Sequence, residues 1–331
     1  MKAIEISQPG GPEALRLCER PEPTVGEQDV LIRVAAASVN RPDVQQRKGL
    51  YDPPPGASDI PGLDTAGVVE RVGAAVERFR PGDRVCALST GGGYAELCAV
   101  PQGQVMPVPA GLSLTQAASL PEVFFTAWHN VFQLCRLDRG ETLLIQGGTS
   151  GVGLAATQMA RVLRDARVFA TAGTDEKCAV SQNYGAERCV NYRNAAWAES
   201  LRHLAGTHGF DVILDSQAGD YVGIEVELLA MGGRLALIGN HRGEHSTLRT
   251  RSFVQRSLTL TGAQIRRRDT AFKQRIADEL VEHVWPELER GRVRTLVQAT
   301  FSLEQASIAH EILDRNQQIG KVVLIVDPAM A

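Results

Sequence analysis

Seven residues, Gly147-Gly148-Thr149-Ser150-Gly151-Val152-Gly153, have the composition and position to hold a phosphate. They follow the apolar run Thr142 to Gln146 and open a helix-like segment, Leu154 to Leu163. Glycines at a strand-to-helix turn let backbone N–H groups approach a pyrophosphate where the helix dipole also favours negative charge. Gly148, Ser150 and Gly153 take the three positions of the dinucleotide fingerprint, with serine in place of its middle glycine. Gly151 and Val152 belong to the same turn and are assigned with it. A second apolar run, Arg167 to Thr171, arrives after one helix length, as a βαβ unit requires.

The end of that second run bears on the choice of cofactor. A site for NAD usually places Asp or Glu there, about twenty residues past the first glycine, on the ribose hydroxyls. Here the chain reads Ala172-Gly173-Thr174. A carboxylate would repel a 2′-phosphate, so its absence removes the barrier to NADP. Lys177 follows closely and could supply positive charge; the alternative is a solvated helix lysine. Asp175 and Glu176 stand between them and are expected to point outward from the next helix start.

Other reactive residue types are dispersed. Six cysteines stand at 18, 86, 98, 135, 178 and 189 with no CxxC among them, a pattern of reduced, mostly buried thiols with no structural zinc site. His129, on the helix after Thr126, has no identifiable acid partner and reads as a packed or surface imidazole. Arg266-Arg267-Arg268 could reach an anionic substrate or border the cleft, with a solvated turn the favoured reading. A net charge of −3 and a pI of about 6.2 give no reason to expect nucleic acid. The longest apolar runs fall short of a membrane span, and Met1 leads directly into a strand pattern, so the chain is expected to be cytoplasmic and off the membrane.

The elements that must position these residues fall into two textures. Of the 331 residues, those up to about Leu120 show short strand signals punctuated by Gly and Pro, as in a compact, partly barrelled β-domain. From Pro121 a helical stretch, Thr126 to Leu134, gives way to alternating strands and helices. Strands are expected near 142–146, 167–171, 189–191, 211–215 and 234–239, forming a parallel, doubly wound α/β sheet. Ser257 to Gly262 could extend that sheet or form its edge. A long helix from Thr270 to Glu289, interrupted by Pro286, a short helix from Glu304 to Arg315 and a strand from Lys321 to Val326 complete the chain.

Several segments together carry a family likeness. They are Asn40-Arg41-Pro42-Asp43, Gly49 to Ser58, Pro61-Gly62-Leu63-Asp64, Leu120-Pro121-Glu122, Thr126-Ala127, the glycine turn, Asn191-Tyr192 and Ile319 to Leu324. With them the chain resembles, over essentially its whole length, the zinc-independent quinone oxidoreductases of the medium-chain dehydrogenase/reductase superfamily. Within these it is most similar to the tumour-suppressor-inducible subgroup. The resemblance implies a GroES-like β-rich catalytic domain, residues 1–122 and 266–331, and a Rossmann NADP-binding domain, residues 123–265. It implies a homodimer joined through the sheet edge at Ser257 to Gly262. It assigns Lys177 and Tyr192 to the NADP phosphate, with Gly173 among the cofactor contacts, and Asn316 near the cofactor phosphates. Thr126, the backbone from Leu237 to Gly239 and Ala263 would border the nicotinamide, and Asn40 and Tyr51 would face the substrate. Zinc-using relatives carry a Cys in the region of Asn40 to Asp43 and Gly-His-Glu at Gly62-Leu63-Asp64; with both ligands missing, no metal is expected.

The chemistry fits a metal-free site. Alcohol oxidation passes through a high-energy alkoxide, whereas hydride delivered to a quinone yields a phenolate, of pKa about 10, that water can protonate. Placing the acceptor against NADPH is then most of the task, with Asn40 and Tyr51 expected to donate hydrogen bonds to the quinone oxygen. The expected partner is a small-molecule quinone or other conjugated carbonyl compound. Reduction of activated C=C bonds, in enals or enoyl thioesters, and a non-catalytic NADPH-binding role are the alternatives.

Overall fold

A computed structural model describes residues 1–331, which divide into two compact units: Met1–Phe125 with Ile265–Ala331, and Thr126–Gln264. In the first unit, β1 (Lys2–Ile6) and β2 (Leu15–Glu19) form an antiparallel pair. The main sheet contains β3 (Asp29–Val39), β4 (Asp64–Val72), β5 (Arg84–Leu88), β6 (Leu97–Pro101) and β7 (Val105–Pro107). Two strands from the far end of the sequence, β14 (Val297–Ser302) and β15 (Lys321–Ile325), extend it in the order β14-β15-β3-β4-β5-β7, with β6 also on β3. Helix α1 (Arg41–Arg47) starts as β3 ends; the short α2 (Leu114–Ala117) precedes α3 (Pro121–Ala127).

The second unit is one parallel sheet of six strands. They are β8 (Thr142–Gln146), β9 (Arg167–Ala172), β10 (Arg188–Asn191), β11 (Phe210–Asp215), β12 (Leu229–Leu237) and β13 (Thr259–Gly262). Helices α4 (Gly151–Arg164), α5 (Asp175–Asn183), α6 (Trp197–Ala205), α7 (Tyr221–Leu228) and α8 (Thr250–Arg256) connect them. The order β10-β9-β8-β11-β12-β13 is the doubly wound dinucleotide-binding arrangement, which reverses direction between β8 and β11. The strands form where expected because β8, β9 and β11 are near-continuous apolar runs buried on both faces.

Two local readings change. Strand β12 starts at Leu229, five residues early, because the ladder with β11 is irregular between the pairs Phe210↔Leu229 and Val212↔Arg234. The stretch before β8 is not one regular helix: α3 continues as a wider π-helical segment, Trp128–Leu134. Pro286 does break the long helix, into α9 (Thr270–His283) and α10 (Trp285–Glu289). The last helix is α11 (Ala306–Asp314), and no helix is long and apolar enough to cross a membrane.

The first unit encloses a chain of polar side chains. Arg47, fully buried, donates from Nη2 to Asp314 (2.7 Å) and from Nε to the Gly10 carbonyl (3.1 Å). Its Nη1 lies 3.4 Å from His310 Nδ1, and His310 Nε2 lies 3.1 Å from Tyr94 Oη. Tyr94 donates to Asp43 (3.3 Å). Arg47 can only donate, so His310 must accept at Nδ1 and carry its proton at Nε2; every link is then satisfied by a neutral imidazole. Burial, and next the Arg47 charge, push His310 down to about 3.

The unfolded histidine takes a proton near pH 6.5, while the folded one refuses it until about pH 3, so acid favours unfolding across that window. Asp43, pushed up to about 6 by burial, acts in the opposite sense within part of it. Comparing His310→Gln with the unaltered chain isolates the imidazole. The variant is expected to lose less stability on acidification below pH 6.5, by about 1.4 kcal/mol per pH unit. Urea denaturation at a series of pH values reads this, and parallel curves would refute the assignment.

Candidate functional site

In the second unit the cofactor-assigned residues gather at the C-terminal ends of the strands. Ser150 explains its own departure from the fingerprint: it caps α4, its Oγ accepting from Gly153 N (3.0 Å) and donating to the Gly147 carbonyl (2.8 Å). Gly153 is required by close approach, since a Cβ there would lie 2.4 Å from the Gly147 oxygen. Gly148 is held by its N–H on the Thr171 carbonyl (2.8 Å). Gly151 and Val152 are the first two helical residues, whose N–H groups have no partner within the helix. This folded-back turn with outward donors fits a pyrophosphate.

Gly173, just past β9, lies beneath Tyr192: a Cβ on it would meet the tyrosine hydroxyl at 2.6 Å. Lys177, half-buried in the first turn of α5, has its pKa lowered by burial and then by the charge of Arg193. The Lys177 and Arg193 charges are thus close enough to act on each other. Asp175 is engaged by Asn191 Nδ2 (2.9 Å), and Glu176 is exposed at the helix start. The residues present fit a phosphate on the ribose 2′ position. Leu237 ends β12 opposite Gly262 of β13, one residue before Ala263. Gly239 packs against the Ser216 carbonyl, 2.8 Å from where a Cβ would stand. The Thr126 carbonyl accepts from Asn130 Nδ2 (2.9 Å), and His129 is buried, bonded through Nδ1 to Gln133 (2.7 Å).

In the first unit the outcome for Asn40 is a correction. It caps α1, its N–H bonded to Asp43 (2.8 Å), and is itself buried. Its Nδ2 donates to Asp64 Oδ2 (2.9 Å) and the Ser38 carbonyl (3.4 Å), and its Oδ1 accepts from the Lys321 ammonium. Both ends of the amide are committed, so Asn40 braces the site rather than offering a hydrogen to an acceptor. Lys321, 5% exposed, also donates to Asp64 Oδ2 (3.2 Å), which further accepts from Ser38 Oγ (2.6 Å). The other Asp64 oxygen accepts from Glu122 N (2.7 Å). An ammonium bonded to both Asn40 and Asp64 would repel a dication, neighbouring Leu63 offers no ligand, and no three His, Cys, Asp or Glu side chains gather to hold a metal. The donor set does not fit zinc.

Tyr51 is half-buried, with the Arg266 guanidinium 5.3 Å from its ring centroid. That arginine corrects a second expectation: it is 6% exposed and donates from Nε to the Thr90 carbonyl (3.0 Å) and from Nη2 to Gln46 (2.7 Å). Asn316 is exposed, with a left-handed backbone (φ 53°), and accepts from Arg41 (2.7 Å). Sequence reading did not single out Lys321, bonded to Asn40 and Asp64, or Arg193, whose charge acts on Lys177. The available signals were a lysine opening an otherwise apolar strand and an arginine directly after Tyr192.

Replacing Lys321 by Met leaves the Asp64 carboxylate buried without its counter-charge and is expected to cost about 3 kcal/mol or more in chemical denaturation. Adding Asp64→Asn to that variant should restore part of the loss, and a strictly additive double variant would show that the two groups do not act as a pair.

Two family models match, "Alcohol dehydrogenase GroES-like domain" over residues 26–110 and "Zinc-binding dehydrogenase" over residues 151–282. The chain is 34% identical to a quinone oxidoreductase of Rattus norvegicus over 330 residues, covering 98% of each. Its fold is similar to that of the Escherichia coli quinone oxidoreductase solved with NADPH, at a TM-score of 0.87 and 27% identity, covering 98% of this chain and all of that one. It is also similar to the CurK enoyl reductase, at a TM-score of 0.84 and 25% identity, covering 98% of each. With a nucleotide turn, a GroES-like unit and these relatives spanning its length, the chain belongs to the quinone oxidoreductase family of the medium-chain dehydrogenase/reductase superfamily.

Proposed function

We propose that the protein reduces quinones with NADPH, without a metal: quinone, NADPH and one proton give hydroquinone and NADP. The observation that carries this reading is the Lys321 ammonium on Asp64 and Asn40, where zinc-using relatives gather ligands. A fixed monocation cannot bind and polarise an alcohol as zinc does, which favours an acceptor whose reduction needs no Lewis acid. A quinone meets that condition, since its product is a phenolate of pKa about 10.

Residues 123–265 bind the cofactor and residues 1–122 with 266–331 bind the acceptor, a division that the two compact units support. When bound, NADPH supplies the hydride. Gly148, Ser150, Gly151, Val152 and Gly153 hold its pyrophosphate. Lys177, Tyr192 and Arg193 take the 2′-phosphate, and Asn316, bonded to Arg41, is assigned to the cofactor by the family likeness. Thr126, Leu237, Gly239 and Ala263 border the nicotinamide. Tyr51 donates its hydroxyl to the acceptor oxygen, while Asn40 positions α1 and the segment that leads to Tyr51. The β13 edge, with Leu260 partly exposed, is the proposed seam of a homodimer. Six free thiols support a reducing, cytoplasmic setting.

The likeness to an enoyl reductase favours a second reading, reduction of an activated C=C bond by the same hydride geometry with an enolate in place of the phenolate. NADPH oxidation against a panel of quinones, enals and enoyl thioesters separates the two. Turnover of quinones is expected, and inactivity on every quinone beside turnover of an enoyl thioester would transfer the assignment. For the cofactor, Lys177→Ala removes a charge-assisted contact worth about 1.5 kcal/mol or more, which is about tenfold in affinity. Fluorescence titration should show NADPH weakened at least tenfold more than NADH; equal weakening would remove Lys177 from the phosphate site.

A further inference from the structure

Three arginines follow one another at residues 266 to 268, and they part company. Arg267 and Arg268 are exposed, whereas Arg266 turns inward. A buried guanidinium has five N–H donors to satisfy, and the first unit shows how a structural arginine does so. Arg47 meets a carboxylate, a carbonyl and an imidazole nitrogen, one on each of its three nitrogens. Arg266 meets two neutral oxygens, the Thr90 carbonyl and Gln46 Oε1, while its Nη1 is buried with no hydrogen-bond partner.

Its surroundings add positive charge. Lys273, buried at the start of α9, donates to Thr90 Oγ1 (3.2 Å) and to the Arg266 carbonyl (3.0 Å), again neutral oxygens. Burial, and then the Arg266 charge, bring this lysine down to about 8. Asp43 acts on Arg266 only through space, for its oxygens are taken by Asn40 N, Gly62 N and the Tyr94 hydroxyl. Two cations are therefore held inside the protein without a bonded carboxylate, and the half-buried Tyr51 ring lies over one of them. Buried charge of this kind calls for an anionic partner.

We propose that Arg266, beside Tyr51, is a specificity-determining residue that receives an anionic oxygen carried by the acceptor, so that conjugated aromatic acceptors bearing a carboxylate or sulfonate are preferred. This rests on the quinone-reductase reading and adds a substrate class to it. The planar guanidinium matches two oxygens of such a group, and the tyrosine ring offers a face for the acceptor's own ring.

The test compares 1,2-naphthoquinone with 1,2-naphthoquinone-4-sulfonate in the unaltered protein, Arg266→Gln and Arg266→Lys. Arg266→Gln should lower kcat/KM for the sulfonate at least tenfold more than for the neutral quinone, through KM, with Arg266→Lys recovering part of the difference. An equal loss for both quinones would reduce Arg266 to a structural role and overturn the proposal. Should the variants not fold, the unaltered protein answers: 1-naphthalenesulfonate should inhibit competitively at a tenfold lower concentration than 1-naphthalenemethanol, and equal inhibition refutes the site. If neither quinone is reduced, the enzymatic reading falls. Calorimetric titration of 1-naphthalenesulfonate onto the NADPH-loaded protein then decides the anion site, by tighter binding than 1-naphthalenemethanol or the lack of it.

Discussion

The first unit is organised around one ammonium group. Lys321 Nζ, at the start of β15, is bonded to Asn40 at the junction of β3 with α1 and to Asp64 at the start of β4. Through the other Asp64 oxygen the same contact reaches Glu122 in the first turn of α3. Three strands and two helices are thus referenced to a single cation. Such an arrangement is costly to desolvate and tolerable only because the oxygens around it are fully bonded. It also places a fixed positive charge among Asn40, Asp64 and Ser38, which disfavours a second cation there.

A contrast between buried polar groups runs through this unit. The Arg47, His310, Tyr94 and Asp43 chain closes on itself, each donor meeting an acceptor, and so reads as architecture. Arg266 is also buried, yet leaves an N–H group unmatched. In a close-packed interior each unmatched buried group calls for an explanation of its own. The nucleotide half expresses the same idea through the backbone, where the first N–H groups of α4 are left for a ligand to complete.

Much of the second unit was legible because its signals are local. The apolar runs of β8, β9 and β11, and the glycine turn between β8 and α4, are written within a few residues of each other. The early start of β12 was not, because a ladder irregularity depends on the neighbouring strand rather than on the strand's own residues. Asp175 is expected to point outward, and its bond to Asn191, sixteen residues on, could not be read locally. Asn40 is expected to donate to an acceptor, but its amide is already engaged, because the partners that occupy it lie 24 and 281 residues away. The Arg266 to Arg268 run reads chiefly as solvated, since like charges in a row ordinarily mark solvent; burial of one member is a property of packing.

Strand β15 has a consequence for how the chain is made. It covers Ala36 to Val39 on the edge of β3 that β6 covers at Asp29 to Arg33, and it comes from the last part of the sequence. During synthesis on the ribosome the six-stranded unit, contiguous from Thr126 to Gln264, is delivered whole, while the earlier β-rich portion waits with half of one strand edge uncovered and Asp64 without its cation. Closing that distance costs little chain entropy, since loop entropy grows only with the logarithm of length. The exposure is temporal: a nascent chain stalled before residue 321 presents an open strand edge to its neighbours, which is where misassembly would begin.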